Sequence, residues 1–310
     1  MTNQTGNYDL DKFLYSMNRR AFIGSLGVAG ISTYGAMKLN TLNSILGPLE
    51  NTPKMPALFL GHGSPMNAIE ENQFVKGFRK VSSEIEIPKA IIVVSAHWET
   101  PGTRVTAMQN PPTIHDFGGF PRALYEVQYP APGSPDLAKE VRQTVHTTDV
   151  HLDEQWGLDH GAWTVIRHMY PEAKIPVIQL SLDIRKSPQE HYALAQELAK
   201  LREKGILIVG SGNVVHNLRM VHWQKLNEAY GYDWAIEANT KIKENILSGN
   251  HADLINFRQQ GRAFDLAIPT PEHYLPLLYA LGLQGKGEEV SLFNDEPLGG
   301  SLTMTSVKIG

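Results

Sequence analysis

The sequence predicts a three-layer α/β/α domain with a mostly parallel central sheet. Short, continuous β-branched runs closed by Gly or Ser recur along the chain, the pattern of strands buried on both faces. Amphipathic helical patterns alternate with them, which places helices over both faces of the sheet. Three of the runs lead within a few residues to a histidine, at the carboxyl edge where open α/β sheets bind their ligands.

The first run is Ala57-Leu58-Phe59-Leu60-Gly61, followed at once by His62-Gly63-Ser64-Pro65. The second is Ile91-Ile92-Val93-Val94-Ser95-Ala96, ending on His97, with strand-like character from residue 90. Further strand-like runs cover 104–108, 175–181 and 301–309. The third histidine-bearing run is Ile206-Leu207-Ile208-Val209-Gly210, followed by Ser211-Gly212-Asn213-Val214-Val215-His216. Between the strands, a helix from Asp136 to His146 has Ser134 as its cap and Pro135 at its first position. Ser187-Pro188 opens a second, with Tyr192, Leu194, Ala195, Leu198 and Leu201 on its apolar face before Gly205 ends it. A third, 233–247, carries Trp234, Ile236, Ala238, Ile242 and Ile246. The Pro- and Gly-rich stretch 109–134, which contains His115, exceeds an ordinary connection and reads as functional.

Composition narrows the chemistry. With 310 residues, 42% hydrophobic and 19% charged, the chain is globular and can bury a large core. A net charge of -4 without a basic stripe argues against nucleic acid as a partner. The absence of cysteine removes thiolate zinc sites, Fe–S clusters, disulfides and cysteine nucleophiles, so any metal must be held by His, Asp or Glu. No G-x-S-x-G elbow, P-loop or H-E-x-x-H helix occurs, and the glycine spacing of Gly210-Ser211-Gly212-Asn213 is not a dinucleotide fingerprint.

Residues 1–54 read as a leader and 55–310 as a single catalytic domain. Asn18-Arg19-Arg20-Ala21-Phe22-Ile23 precedes a short, mildly apolar, Gly-rich stretch, which resembles a twin-arginine export signal and predicts a periplasmic protein. The stretch is too interrupted for a stable membrane span. A leader whose paired arginines carry no signal, with the protein cytoplasmic, is the alternative.

Convergent histidines from separate strand ends are what a divalent transition metal needs. Of the 12 histidines, His146, His151, His168, His191, His222 and His251 lie in helical or polar stretches and read as surface or cap residues. His62 and His97 each follow a buried run directly and read as ligands. His216 lies farther from its strand but follows a Gly-rich turn. In Pro269-Thr270-Pro271-Glu272-His273 a helix is predicted to start with Thr270 as cap, leaving Glu272 or His273 to reach the site. His115 and His160 each have an acidic neighbour and a nearby glycine, which suits an acid/base group.

Several segments carry a family resemblance. They are Gly61-His62-Gly63-Ser64-Pro65-Met66, Ser95-Ala96-His97-Trp98, Thr113-Ile114-His115-Asp116-Phe117-Gly118-Gly119-Phe120-Pro121, Tyr129-Pro130-Ala131-Pro132-Gly133-Ser134-Pro135, Asp159-His160-Gly161, Ser211-Gly212-Asn213-Val214-Val215-His216-Asn217 and Thr270-Pro271-Glu272-His273-Tyr274-Leu275-Pro276-Leu277. In this order, from about Met55 to Gly310, they resemble the DOPA-extradiol-dioxygenase group of the LigB-type class III extradiol ring-cleavage dioxygenases. The resemblance implies a LigB-like α/β/α fold and a non-haem metal, with catechol and oxygen as small-molecule substrates. It implies His62, His97, His216 and His273 as metal ligands and His160 and His115 as acid/base residues. The wider class binds Fe(II) through two histidines and one carboxylate, whereas this chain offers His216 in addition and His273 beside Glu272. Four neutral imidazoles also suit Zn(II). Two rival functions follow: a zinc hydrolase on the same site, and a non-catalytic binding protein of this fold.

Overall fold

The computed structural model describes residues 53–226 and 228–310, and among them ten strands form, including one or more at each β-branched run. The leader, with Arg19 and Arg20, lies outside the described residues apart from its last two positions. The strands are β1 Ala57–Gly61, β2 Ala90–Thr100, β3 Arg104–Thr106, β4 His151–Asp153, β5 Val177–Asp183, β6 Ile206–Gly212, β7 Val290–Phe293, β8 Pro297–Leu298, β9 Leu302–Thr303 and β10 Ser306–Ile309. Eight of them make one sheet in the order β4-β3-β5-β2-β6-β1-β10-β7, while β8 and β9 pair separately. The four central strands, β5-β2-β6-β1, are mutually parallel. Antiparallel pairs appear only toward the edges, at β3 with β5 and through β1, β10 and β7.

Alternation along each central strand feeds two separate cores, because successive side chains point to opposite faces. Phe59, Ile92, Ile178 and Ile208 face one core, built with helices α3 Pro135–Thr144, α5 Pro188–Arg202, α6 Asp233–Ser248 and α9 Leu275–Gly282. Leu58, Leu60, Ile91, Val93 and Leu207 face the other, with α1 Gln73–Ser83, α2 Arg122–Tyr125 and α4 His160–Met169. The predicted α/β/α layering is therefore present. Short helices α7 His251–Ile255 and α8 Arg262–Ala267 complete the chain between α6 and α9. The Ser134 cap and the Ser187-Pro188 start form as expected, the latter with a capping box, and α6 ends on a left-handed Gly249.

Three local expectations need correction. Strand β2 does not stop at Ala96 but runs on to Thr100, with a register shift between Val94 and Glu99, so His97 lies on a bulge within the strand. Thr270 caps no helix: its hydroxyl donates to Glu272 Oε1 (2.9 Å), and α9 begins at Leu275 with Pro276 in its first turn. The 301–309 run is divided into β9 and β10.

Candidate metal centre

Each histidine is set by the end of an element. His62 follows β1 and is tied to β6 by its backbone N–H, which donates to Gly212 O (3.0 Å). His97 is turned by the bulge in β2, and His160 is the first residue of α4, whose cap is Asp159. His216 is bridged to Leu302. The turn bearing His273 lies directly over β6, since a Cβ on Gly212 would fall 2.1 Å from His273 O. Glycine at 212 is what lets turn and strand approach so closely.

Five imidazoles meet there. His62 contacts His97, His160 and His273 at ring-centroid distances of 5.0, 5.8 and 5.3 Å. His97 lies 3.8 Å from His160 and 4.9 Å from His273, and His216 stacks on His273 at 3.5 Å and 9°. The candidate ligand atoms of His62, His97 and His160 lie within 4.8 Å of one another, as do those of His216, Glu272 and His273. Two parallel rings cannot both aim in-plane lone pairs at one point, so joint ligation by His216 and His273 requires one to rotate.

Burial keeps His62, His97, His216 and His273 neutral. It drives the pKa of His62 and His273 well below normal, helped by the neighbouring imidazoles. Burial likewise lowers His97 to about 3 and His216 to about 4, against the pull of nearby carboxylates. Neutral imidazoles with free lone pairs are the protonation state that metal binding needs.

The Nδ1 side of four rings is occupied. Ser211 Oγ donates to Gly161 O (2.5 Å), so its contact with His62 Nδ1 (3.0 Å) is one in which the imidazole donates. His273 Nδ1 lies 3.1 Å from Glu272 Oε1. Asp116 Oδ2 lies 3.0 Å from His160 Nδ1 and 3.8 Å from His97 Nδ1. The His160 approach is bent away from the hydrogen-bond axis, leaving Nδ1 without a well-aligned partner. On the inner side, His62 Nε2 and His97 Nε2 face each other at 3.3 Å.

His115 is elsewhere. Its Nε2 donates to Val127 O (2.9 Å), and its ring packs on Phe117, Tyr125 and Trp163. Phe117 stands between the two groups, edge-on to His160 at 5.6 Å. The acidic neighbours singled out in the sequence also exchange partners. Asp116 serves His160 rather than His115, and Asp159 caps α4 while accepting from Ser95 Oγ (2.7 Å) and Gln179 Nε2 (2.7 Å). Ser211 and Ser95 went unassigned, since nothing in a strand-end serine predicts its partner. A cavity of about 640 Å³ opens beside Gly63, Ser64 and Leu302, with Glu70, Glu71, Glu228 and Glu296 among its lining residues.

Residues 55–301 match the family described as the catalytic LigB subunit of aromatic ring-opening dioxygenase. The chain belongs to that family. It is an extradiol ring-cleavage oxidoreductase by this membership. A 4,5-DOPA dioxygenase extradiol of Escherichia coli (strain K12) is 48% identical over 264 residues, covering 84% of this chain and 96% of that protein. One of Beta vulgaris is 36% identical over 256 residues, or 81% and 94% of the two chains. The crystal structure of an uncharacterized protein from Escherichia coli K12 superposes with a TM-score of 0.72 at 44% identity, covering 83% of this chain and all (100%) of that one. The LigB-like fold expected from the sequence is thus found in a solved relative.

Proposed function

We propose that this chain opens the ring of a DOPA-like catechol with molecular oxygen, using a metal held at the histidine cluster. The observation that carries the reading is the 3.3 Å approach of His62 Nε2 and His97 Nε2 in a buried group of neutral imidazoles. Two unprotonated nitrogens so placed repel unless a cation or proton lies between them, so the donor set fits a divalent transition metal. His62, His97, His216 and His273 would hold it, with His273 favoured over Glu272 because that carboxylate is engaged with His273 Nδ1. When bound, Fe(II) supplies the positive charge that favours a chelated catecholate and the redox capacity that oxygen chemistry demands and Zn(II) lacks.

The chain's own residues supply the rest. His160 faces Asp116 through Nδ1, which leaves Nε2 to take a hydroxyl proton from the catechol. Phe117, with Tyr125 and Trp163 behind it, offers an apolar wall beside His160, and His115 acts by bracing that wall. The carboxylates lining the cavity next to Gly63 suit the ammonium group of a DOPA-like side chain, and the names of the relatives point to the same substrate class. Anaerobic loading with Fe(II), then addition of oxygen and a panel of catechols, tests the reading: a yellow ring-opened product is expected with iron and none with zinc. Oxygen-independent turnover of an ester or amide with zinc would replace it by a hydrolase. Export to the periplasm through Arg19-Arg20 is part of the same proposal; it fails if the native protein fractionates wholly with the cytoplasm, leader attached.

A further inference from the structure

We propose that Asp116 is a positioning residue that fixes the tautomer of His160, so that its ring presents an unprotonated Nε2 to the reaction centre, and that orients His97 beside it. The inference rests on the reading of that centre as the catechol site, but its test does not depend on catechol turnover.

Asp116 sits on the 109–134 segment, outside the strand ends and turns that carry the site histidines. Its Oδ1 accepts the backbone N–H of His160 at 2.9 Å. Its Oδ2 faces two imidazoles at once, His160 Nδ1 at 3.0 Å and His97 Nδ1 at 3.8 Å, whose rings are themselves 3.8 Å apart. An ionised carboxylate only accepts. A proton on the facing Nδ1 of His160 avoids lone-pair repulsion and leaves the lone pair of that ring on Nε2. At His97 the carboxylate is too distant for a hydrogen bond (3.8 Å) and the 3.3 Å contact of its Nε2 with His62 Nε2 takes a shared proton or a cation, so there Asp116 acts by charge and orientation. Carboxylates behind metal-bound imidazoles act in this way in general, orienting the ring and raising its basicity. Here one carboxylate serves both a proposed ligand, His97, and the proposed base, His160.

The competing role is structural, as an acceptor for the first N–H of α4. Asp116→Asn separates the two. The backbone N–H of His160 keeps the amide oxygen on its side, so the NH₂ turns toward His160 Nδ1. A donor there favours an unprotonated Nδ1 and moves the proton to Nε2. In the metal-free full-length chain, ¹⁵N NMR of the imidazoles is expected to show a protonated Nδ1 on His160 in the wild type, reversed in Asp116→Asn. Co²⁺ affinity, measured against a competing chelator, should fall about 10–100-fold, while the melting temperature of the metal-free protein is unchanged. The proposal is overturned if Asp116→Asn keeps the wild-type tautomer of His160, or reverses it with Co²⁺ affinity intact. The wild-type spectrum alone is also decisive: an unprotonated Nδ1 on His160 would sink it even if no variant folds.

Discussion

Gly161 leaves no room for a side chain, and its neighbours make that a functional constraint. A Cβ there would lie 2.5 Å from Ser95 Oγ and 2.8 Å from His97 Cδ2. Gly161→Ala is therefore expected to displace His97 and reduce bound metal, even though Ala favours the helix it would enter. Metal content beside an unchanged far-ultraviolet circular dichroism spectrum checks this; full metal content would show that the ring can give way. His160→Phe is a different case. It should retain most of the metal while turnover falls about 10²–10⁴-fold, the usual effect of losing a positioned acid or base. Loss of metal instead would make His160 a ligand, as its grouping with His62 and His97 permits. Histidines at strand ends were legible because glycine and β-branched context marks those ends. The partners of Asp116 and Asp159 were not: sequence adjacency pairs Asp116 with His115, while the fold carries it across to His160. Contacts over 44 positions in the chain leave no local signal.

At the level of elements, helix α4 depends on a cap that also ties it to the sheet. Asp159 Oδ1 accepts from Ala162 N (3.0 Å) and Ser95 Oγ (2.7 Å), and Oδ2 accepts from Gln179 Nε2 (2.7 Å). Gln179 Oε1 in turn accepts the Asp159 backbone N–H at 2.8 Å. Burial pushes the Asp159 pKa up and these hydrogen bonds oppose it. Asp159→Ala removes the cap, worth about 0.5–2 kcal/mol, and strands buried donors at about 1–3 kcal/mol. Urea unfolding should therefore show a loss of roughly 2–5 kcal/mol, with Asp159→Asn losing less because it keeps one acceptor. An Ala variant as stable as wild type would mean the network contributes nothing. Helices with a polar face, such as α3, α5 and α6, were legible from period and caps. Helix α9 was expected but placed too early, from Thr270, because its body is buried on all sides and carries no apolar stripe to fix its bounds; helix α4 was not foreseen. Strands β4 and β7 escaped because they are short edge strands with mixed burial.

At the scale of the whole domain, two sets of titrating groups set its response to acid. Fully buried Arg202 ties together both ends of the 55–310 domain: it donates to Met55 O (2.7 Å), Leu283 O (2.6 Å) and Ile309 O (3.3 Å) and forms paired bonds to Glu288 (2.8 Å each). Burial pushes Glu288 up, but Arg202, the Gly285 N–H and Lys54 bring it down to about 2. Its contribution to stability is thus present above the ordinary Glu value and lost as pH falls from there through about 2. The second set is neutral histidine. Burial lowers His191 and His216 to about 4 and His97 to about 3. The unfolded chain takes up these protons near pH 6.5 while the folded chain does not, so their contribution is complete above about 6.5 and lost as pH falls toward 4 and 3. Each such group adds a slope of at most about 1.4 kcal/mol per pH unit. The metal-free protein should therefore lose stability in two stages, a steep histidine limb from about pH 6.5 to 4 and a shallower one below it. His191 contacts Tyr279 (3.0 Å) and no proposed ligand, so His191→Gln should flatten the first limb without touching metal binding. Glu288→Gln should flatten only the second. Melting temperatures of the three proteins between pH 7.5 and 2.5 measure both limbs; a curve flat from 6.5 to 4 would mean that the buried imidazoles exchange protons with solvent without unfolding the core.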